Sequence, residues 1–506
     1  MSMRVGEKTF WLTLVVFFAF ALTVFRLAFI GKIPISPDEA YYWSWSQKPA
    51  IAYFDQPGMV AWINWIFNHL PNAPNEFTVR LPAVLLMFLT TLLSFFAYFE
   101  LFGSAKQSAF FAISLNCVPI YFFSGLVMIH DTVLVFFLSG FYYFFFRTIK
   151  NPTTKTWLGT GVFLLLSLYS KLNTALVGFC LALYLLFTEK GRDMLKKPGV
   201  WLAGALNIIG FLPVIIWNIK LGFPHLVAIR QLTSAPHLSS LERFSKCLKF
   251  IGSQFGVLFP LIALGVLWAC GAGLKKLKKE KDEKLLALAF LSFPIFAYFF
   301  IQSFRSGVFG NWTLVGIFPL LVLFCQQSFS ESKSKILSPR YFFVANALSL
   351  ILCLLLVVEI RYRSLRAYSW KIKEKYHLAR PFDWRLDQEL EGWKELCQKI
   401  ERYREKNEEL STRRYQTASI AMFCLPDHPV PVVISAGHKK SQFNLWRSPE
   451  ELKGKTAIYF DVRPMPEKVK RCFSKLIALD EPMIIFRQNY PIKRFYIYRA
   501  IDYHQQ

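Results

Sequence analysis

Acidic residues are scarce in this chain: 33 Asp and Glu stand against 59 Lys and Arg in 506 residues, and charged residues together make up only 18%. A water-soluble domain of ordinary composition carries about 25%, so that class is disfavoured from the outset. Intrinsic disorder is excluded on the opposite ground. Disordered chains are poor in aromatic and aliphatic residues, whereas this one is 17% aromatic, with 52 Phe. The nine cysteines lie mostly inside apolar runs and show no CxxC spacing, which argues against a zinc module and a disulfide framework alike. The run 9–25 follows Arg4 and Lys8 but lacks a small-x-small cleavage signal, so it reads as a retained first span. There is no internal repeat and no low-complexity segment.

Long apolar runs take the place of what is missing. Residues 81–99, 250–274, 285–304, 306–330 and 341–358 carry no charge at all. A helix crossing a bilayer core of about 30 Å needs about 20 such residues. The fold class expected is an α-helical polytopic membrane protein. About eleven transmembrane helices are expected, near residues 9–30, 78–100, 107–125, 132–147, 156–171, 173–188, 199–219, 250–270, 285–304, 311–328 and 341–359. The net charge of +26 is explained by position. Much of it sits between apolar runs, at 147–155, at 190–197 and in Lys275, Lys276, Lys278 and Lys279. Positive charge in short loops marks the cytoplasmic side, so membrane lipids are expected partners and nucleic acid is not. With the N-terminus inside and an odd span count, the tail falls on the outer face.

Two domains follow: a membrane domain over 1–360 and an extracytoplasmic soluble α/β domain over 361–506. In the tail, 383–406 is charged with apolar residues at helical intervals. Short β-branched runs at 430–435, 456–462, 483–486 and 494–498 come after it, reading as a helix and a small sheet. The first outer loop, 31–76, is far longer than a connection requires, which marks it as functional. Its Tyr and Trp residues suit helices lying at the membrane interface.

Candidate chemistry gathers at this outer face. Ser36-Pro37-Asp38-Glu39 has the pattern of a capping box with proline in the first turn, which accounts for Ser36, Pro37 and Glu39 but does not require Asp38. A carboxylate at the membrane boundary can serve as general base for a hydroxyl. Asp55, in Tyr53-Phe54-Asp55-Gln56-Pro57-Gly58, fits either an ordinary turn or a site. Asp131 interrupts apolar sequence, either capping the next helix or marking a site, since a carboxylate near hydrocarbon costs about 2–3 kcal/mol. Lys171, between two expected spans, either snorkels to the interface or neutralises an anion. A transporter of lipid-linked sugars would instead place ionisable groups near the midplane on broken helices.

Three stretches carry a family resemblance: Pro37-Asp38-Glu39-Ala40-Tyr41-Tyr42-Trp43, Tyr53-Phe54-Asp55-Gln56-Pro57 and Glu76-x-x-x-Arg80-Leu81-Pro82. They resemble the first outer loop of bacterial polyprenyl-phosphate-sugar glycosyltransferases of the GT-C superfamily. Protein O-mannosyltransferases, aminoarabinose–lipid A transferases and lipopolysaccharide galacturonosyltransferases belong to that group. The likeness continues through Asp131, Ser170-Lys171, Trp217-Asn218, Gln254, Asn311-Trp312 and Gln442-Phe443-Asn444-Leu445-Trp446 with Gly454-Lys455.

The resemblance implies a GT-C fold in the inner membrane with a periplasmic active site and tail domain. It also implies inverting transfer from a polyprenyl-phosphate sugar donor to a lipid A, lipopolysaccharide or protein acceptor, with no nucleotide cofactor. Asp38 and Asp131 would be catalytic, and Arg80, Lys171 and Gln56 would hold the donor phosphate. Glu39 and Asp55 would be further site residues. Gln56 stands where the family usually has His or Lys; a neutral amide can hydrogen-bond a phosphate but cannot neutralise it. Some relatives bind a divalent metal through the acidic residue matching Asp55 and a later His. His225 and His237 match no motif, so a metal remains open. Protein O-glycosylation and lipid-linked sugar transport are the alternatives.

Overall fold

A computed structural model describes residues 5–234, 238–330, 338–376, 389–405, 408–435, 439–487 and 490–504. Among these, eight helices are long and apolar enough to cross a bilayer: Gly6–Ile30, Glu76–Phe102, His130–Lys150, Pro198–Lys220, Pro260–Lys279, Glu283–Ser303, Gly310–Ser328 and Pro339–Tyr362. A ninth candidate, Leu172–Phe187 with Glu189–Leu195, is bent by 100°. The chain is a multi-pass membrane protein. Large apolar side chains such as Phe17, Ile208 and Leu355 point outward, where lipid rather than water satisfies them.

Eight or nine such helices are fewer than the eleven expected. Expected span 107–125 is broken into Ala105–Cys117 and Pro119–Ser124, with Val118 extended between them. Proline disfavours helical geometry in the residue before it. Expected span 156–171 is realised as Thr154–Ser170, of 17 residues. Expected span 250–270 is also divided. The amphipathic helix Ser240–Leu258 ends at Phe259, whose φ of 73° lies in the left-handed region, and Pro260 opens the next helix.

Local signals set the helix that carries Arg80. Asn75 accepts from the backbone N–H of Phe77 and Thr78, both at 3.0 Å, satisfying two donors that a helix start leaves open. Gly103, with φ of 77°, ends the same helix, a left-handed stop that costs glycine nothing.

The tail forms a small mixed sheet of six strands: β1 (Glu409–Thr412), β2 (Val432–Val433), β3 (Ala457–Asp461), β4 (Phe473–Ala478), β5 (Met483–Arg487) and β6 (Tyr490–Tyr503). The order is β2-β1-β3-β6-β4, with β5 also on β6. β1 runs parallel to β2 and β3, and β6 runs antiparallel to β3, β4 and β5. Each expected β-branched run coincides with part or all of a strand, 430–435 with β2, 456–462 with β3, 483–486 with β5 and 494–498 with the middle of β6; β1 and β4 were not anticipated. Of the expected helix 383–406, Trp393–Tyr403 is present, while 383–388 and 406 lie outside the described residues. The cysteine expectation needs correcting: Cys397 and Cys424 are disulfide-bonded, tying helix Trp393–Tyr403 to helix Tyr415–Cys424.

The tail sits on the loop 31–76. Trp43 packs edge-on against Phe423 and Tyr41 lies 4.4 Å from Tyr415, centroid to centroid. One apolar core contains Tyr41, Trp43 and Tyr53 from the loop together with Leu396, Ile420 and Phe443 from the tail.

Candidate active site

The expected capping box is present: the backbone N–H of Glu39 donates to Ser36 Oγ at 3.3 Å, and that of Ser36 donates to Glu39 Oε2 at 3.1 Å. Glu39 does more than complete it. Its carboxylate takes Arg80 Nε on Oε1 and Arg80 Nη2 on Oε2, each at 2.7 Å. Glu39 is fully buried; burial alone would raise its pKa, but the facing guanidinium outweighs that and holds it below the ordinary value. Arg80 also donates from Nη1 to the carbonyls of Ile30 and Ile33 and from Nη2 to that of Pro34, at 2.6–2.9 Å. A guanidinium has five N–H donors, and all five are engaged inside the protein. Arg80, only 2% exposed, ties the loop to the helix Glu76–Phe102 and has no N–H left over for another acceptor in this arrangement.

Asp38, one residue before Glu39 on the helix Pro37–Ser46, faces another way. It is open to solvent and its Oδ1 accepts from the Tyr415 hydroxyl at 3.0 Å. Enough protein surrounds it that desolvation raises its pKa. The Tyr415 bond works against this, and the charges of Glu389 and Glu39 add to it.

Asp55 occupies the expected turn, where the Tyr53 N–H donates to Gln56 O at 2.9 Å. The Tyr41 hydroxyl donates to Asp55 Oδ2 at 2.5 Å and accepts from the Gln442 N–H at 2.9 Å. Gln442 Oε1 in turn accepts from the Phe54 N–H at 2.8 Å, so the tail motif clasps this turn. Burial, partly offset by the Tyr41 bond and reinforced by Asp38, pushes Asp55 up to about 6.

Lys171 and Asp131 form a buried ion pair, Nζ to Oδ1 at 2.5 Å. Asn311 Nδ2 donates to Asp131 Oδ2 at 2.6 Å, and Gln56 Oε1 accepts from the Leu172 N–H at 3.0 Å. Gln56 thus joins the Asp55 turn to this pair. Asp131 and Asn311 line a cavity of 610 Å³ walled otherwise largely by apolar residues such as Ile120, Phe123, Val257 and Leu356. Tyr42 is within electrostatic reach of all three carboxylates. Burial raises its hydroxyl pKa well above the ordinary value, and the charges of Asp38, Asp55 and Asp131 all raise it further.

His225 does not enter the site as a ligand. Its Nδ1 lies 2.9 Å from Asn218 Nδ2 and its Nε2 2.9 Å from Tyr53 O, so Nδ1 accepts and Nε2–H donates. Burial lowers its pKa to about 4, and the neutral ring braces the Tyr53–Gly58 turn. His237 lies outside the described residues. Among the described residues, no three His, Cys, Asp or Glu side chains converge in a way that could hold a metal ion. Sequence reasoning missed Tyr415, Tyr42 and Glu389. Tyr42 stood within the quoted motif; Tyr415 carried no signal beyond its aromatic type.

Comparison with known proteins follows the same lines. Residues 55–217 match the family described as dolichyl-phosphate-mannose-protein mannosyltransferase. Lipid A galacturonosyltransferase RgtD of Rhizobium johnstonii is 24% identical over 284 residues, covering 55% of this chain and 57% of that protein. The chain thus spans little more than half the length of that curated relative. The crystal structure of ArnT from Cupriavidus metallidurans in the apo state matches with a TM-score of 0.55 at 15% identity, over 97% of this chain and 98% of that one.

Proposed function

The chain has the GT-C glycosyltransferase fold, and on that premise we propose that it moves a sugar from a polyprenyl-phosphate donor to an extracytoplasmic acceptor, lipid A or lipopolysaccharide core, with inversion. The observation that carries the proposal is the chain of contacts that links Asp38 through Tyr415 and Tyr41 to Asp55, and the Asp55 turn through Gln56 to the Lys171–Asp131 pair, with Asp131 lining a largely apolar cavity. A polyprenyl tail needs an apolar channel, and its phosphate and sugar need a polar end.

Asp38 takes the proton of the acceptor hydroxyl as that oxygen attacks the anomeric carbon from the face opposite the phosphate. The bond from sugar to phosphate oxygen breaks, and polyprenyl phosphate leaves. A base whose pKa is raised toward working pH suits this step. Lys171, held by Asp131, and the Gln56 amide meet the departing phosphate; Arg80 drops out of that set and acts as a positioning residue. Contacts that strengthen as negative charge develops lower the barrier selectively.

The site side is periplasmic in this reading. The helix His130–Lys150 begins beside Asp131 and ends in Lys150, and Lys281 pairs with Glu189 at 2.6 Å, so basic loops gather away from the site. The Cys397–Cys424 bond fits an oxidising compartment. Mass spectrometry of envelope glycolipids from cells with and without the protein tests the function. Asp38→Asn should abolish transfer, a loss of about 10²–10⁴-fold for one acid–base group, in a protein that still folds. Unchanged glycolipids, or full turnover by Asp38→Asn, would sink the proposal.

A further inference from the structure

A second recess, of 550 Å³, opens in the tail domain and is lined by Arg414, Arg463, Lys493 and Arg494, with Glu389 as its acidic member and Trp393 in its wall. Arg463, Lys493 and Arg494 make no ion pair with any described residue, while Arg414 stands 3.6 Å from Asp461. Arg414 Nε is buried without a hydrogen-bond partner. Lys493 lies 3.2 Å from the Trp393 ring centroid and, among the described residues, donates only to the Glu391 carbonyl, also at 3.2 Å. Three guanidinium groups and the Lys493 amine face one acid in this recess, an excess of positive charge and N–H donors that an incoming anion stabilises. Arginine forks in particular suit the oxygens of a phosphate.

The recess adjoins the reacting carboxylate through one stretch of backbone. Arg414 lines the recess, and the next residue, Tyr415, holds Asp38. Glu389 lines the recess and its charge is felt at Asp38. We propose that this recess binds a phosphate monoester on the acceptor glycolipid and so presents a nearby acceptor hydroxyl to Asp38. The inference rests on the transfer reading and adds the chemical class of the acceptor. Burial holds Lys493 down to about 6, and a bound anion favours its charged form.

The test measures binding without donor, so that its outcome does not depend on transfer. Full-length protein in lipid nanodiscs is titrated calorimetrically with three probes. These are a glucosamine-disaccharide lipid carrying one phosphate monoester, its dephosphorylated counterpart, and inorganic phosphate. Wild type should bind the phosphorylated lipid at least about tenfold more tightly than the dephosphorylated one, as charge-assisted contacts imply. The exposed pair Arg463→Gln with Arg494→Gln should erase that preference, and Lys at both positions should restore part of it. Equal binding of the two lipids by wild type, or an unchanged preference in the Gln pair, would overturn the proposal. Inorganic phosphate binding as tightly as the phosphorylated lipid would overturn the acceptor assignment. Selective binding without any transfer to that lipid would instead refute the proposed function and leave the anion site standing.

Discussion

The Tyr415 hydroxyl and the Asp38 carboxylate meet at 3.0 Å across a sequence separation of 377 residues. That bond lowers the pKa of a carboxylate that desolvation by the surrounding protein raises, while Glu389 pushes it further up. The two neighbours therefore act on Asp38 with opposite sign.

On the proposed mechanism Asp38 acts in its ionised form, so the rate should fall as pH drops through its pKa. Tyr415→Phe removes the lowering contact and should move the acid limb of kcat/KM to higher pH. Glu389→Gln removes a raising charge and should move it to lower pH. Profiles recorded with a synthetic polyprenyl-phosphate sugar decide this, and shifts in the same direction for both variants would remove Asp38 from the base role.

Glu39 and Arg80 should report on folding rather than on chemistry. Breaking a buried ion pair from one side costs about 3–5 kcal/mol, so Arg80→Ala and Glu39→Gln should both lower melting temperature and folded yield sharply. Turnover per folded molecule at saturating donor should stay far closer to wild type than in Asp38→Asn. A stable Arg80→Ala protein with weakened donor affinity would return Arg80 to the phosphate site.

Gln442 is expected to couple the tail to the Asp55 turn. Gln442→Leu leaves the buried Phe54 N–H without its acceptor, a loss of about 1–3 kcal/mol. Hydrogen exchange should accelerate at Phe54 and the turn around it while the spans stay protected. Unaltered exchange there would show that the clasp contributes nothing to the turn.

Topology makes a separate prediction. In a background without native cysteines, a membrane-impermeant thiol reagent applied from outside should label a cysteine placed at Trp446 and not one at Lys278. The reverse pattern would put the site on the cytoplasmic face.

Much of the membrane fold was legible because apolar length is a one-dimensional property, readable in any charge-free run. The breaks were less so: Val118 and Phe259 leave helical geometry just before a proline, inside runs whose composition looks continuous. Asp38, Asp55, Asp131 and Lys171 were visible as polar residues at the ends of apolar runs. Their pairings were not: Gln442 and Asn311 stood in the family-like motifs, but that they and Tyr415 reach these groups follows from tertiary packing that no spacing encodes. Arg80 shows the limit most clearly. Sequence marks it as a cation at the outer face, but only the three-dimensional arrangement reveals Glu39 and three carbonyls using up its donors. The Cys397–Cys424 pair was obscured because the other cysteines outside it are free and lie mostly in buried positions.

The contact between Asp38 and Tyr415 also fixes an order of events during synthesis. Asp38 leaves the ribosome before most of the membrane helices exist, and Tyr415 follows only after the last of the eight long apolar helices, Pro339–Tyr362. Throughout insertion the carboxylate lacks the hydroxyl that orients it, and the Tyr41 hydroxyl lacks the Gln442 N–H that clasps it. The loop contacts of Asp38 and Tyr41 are thus completed only after the tail has been synthesised and folded onto the loop, so on the proposed function the site is assembled last.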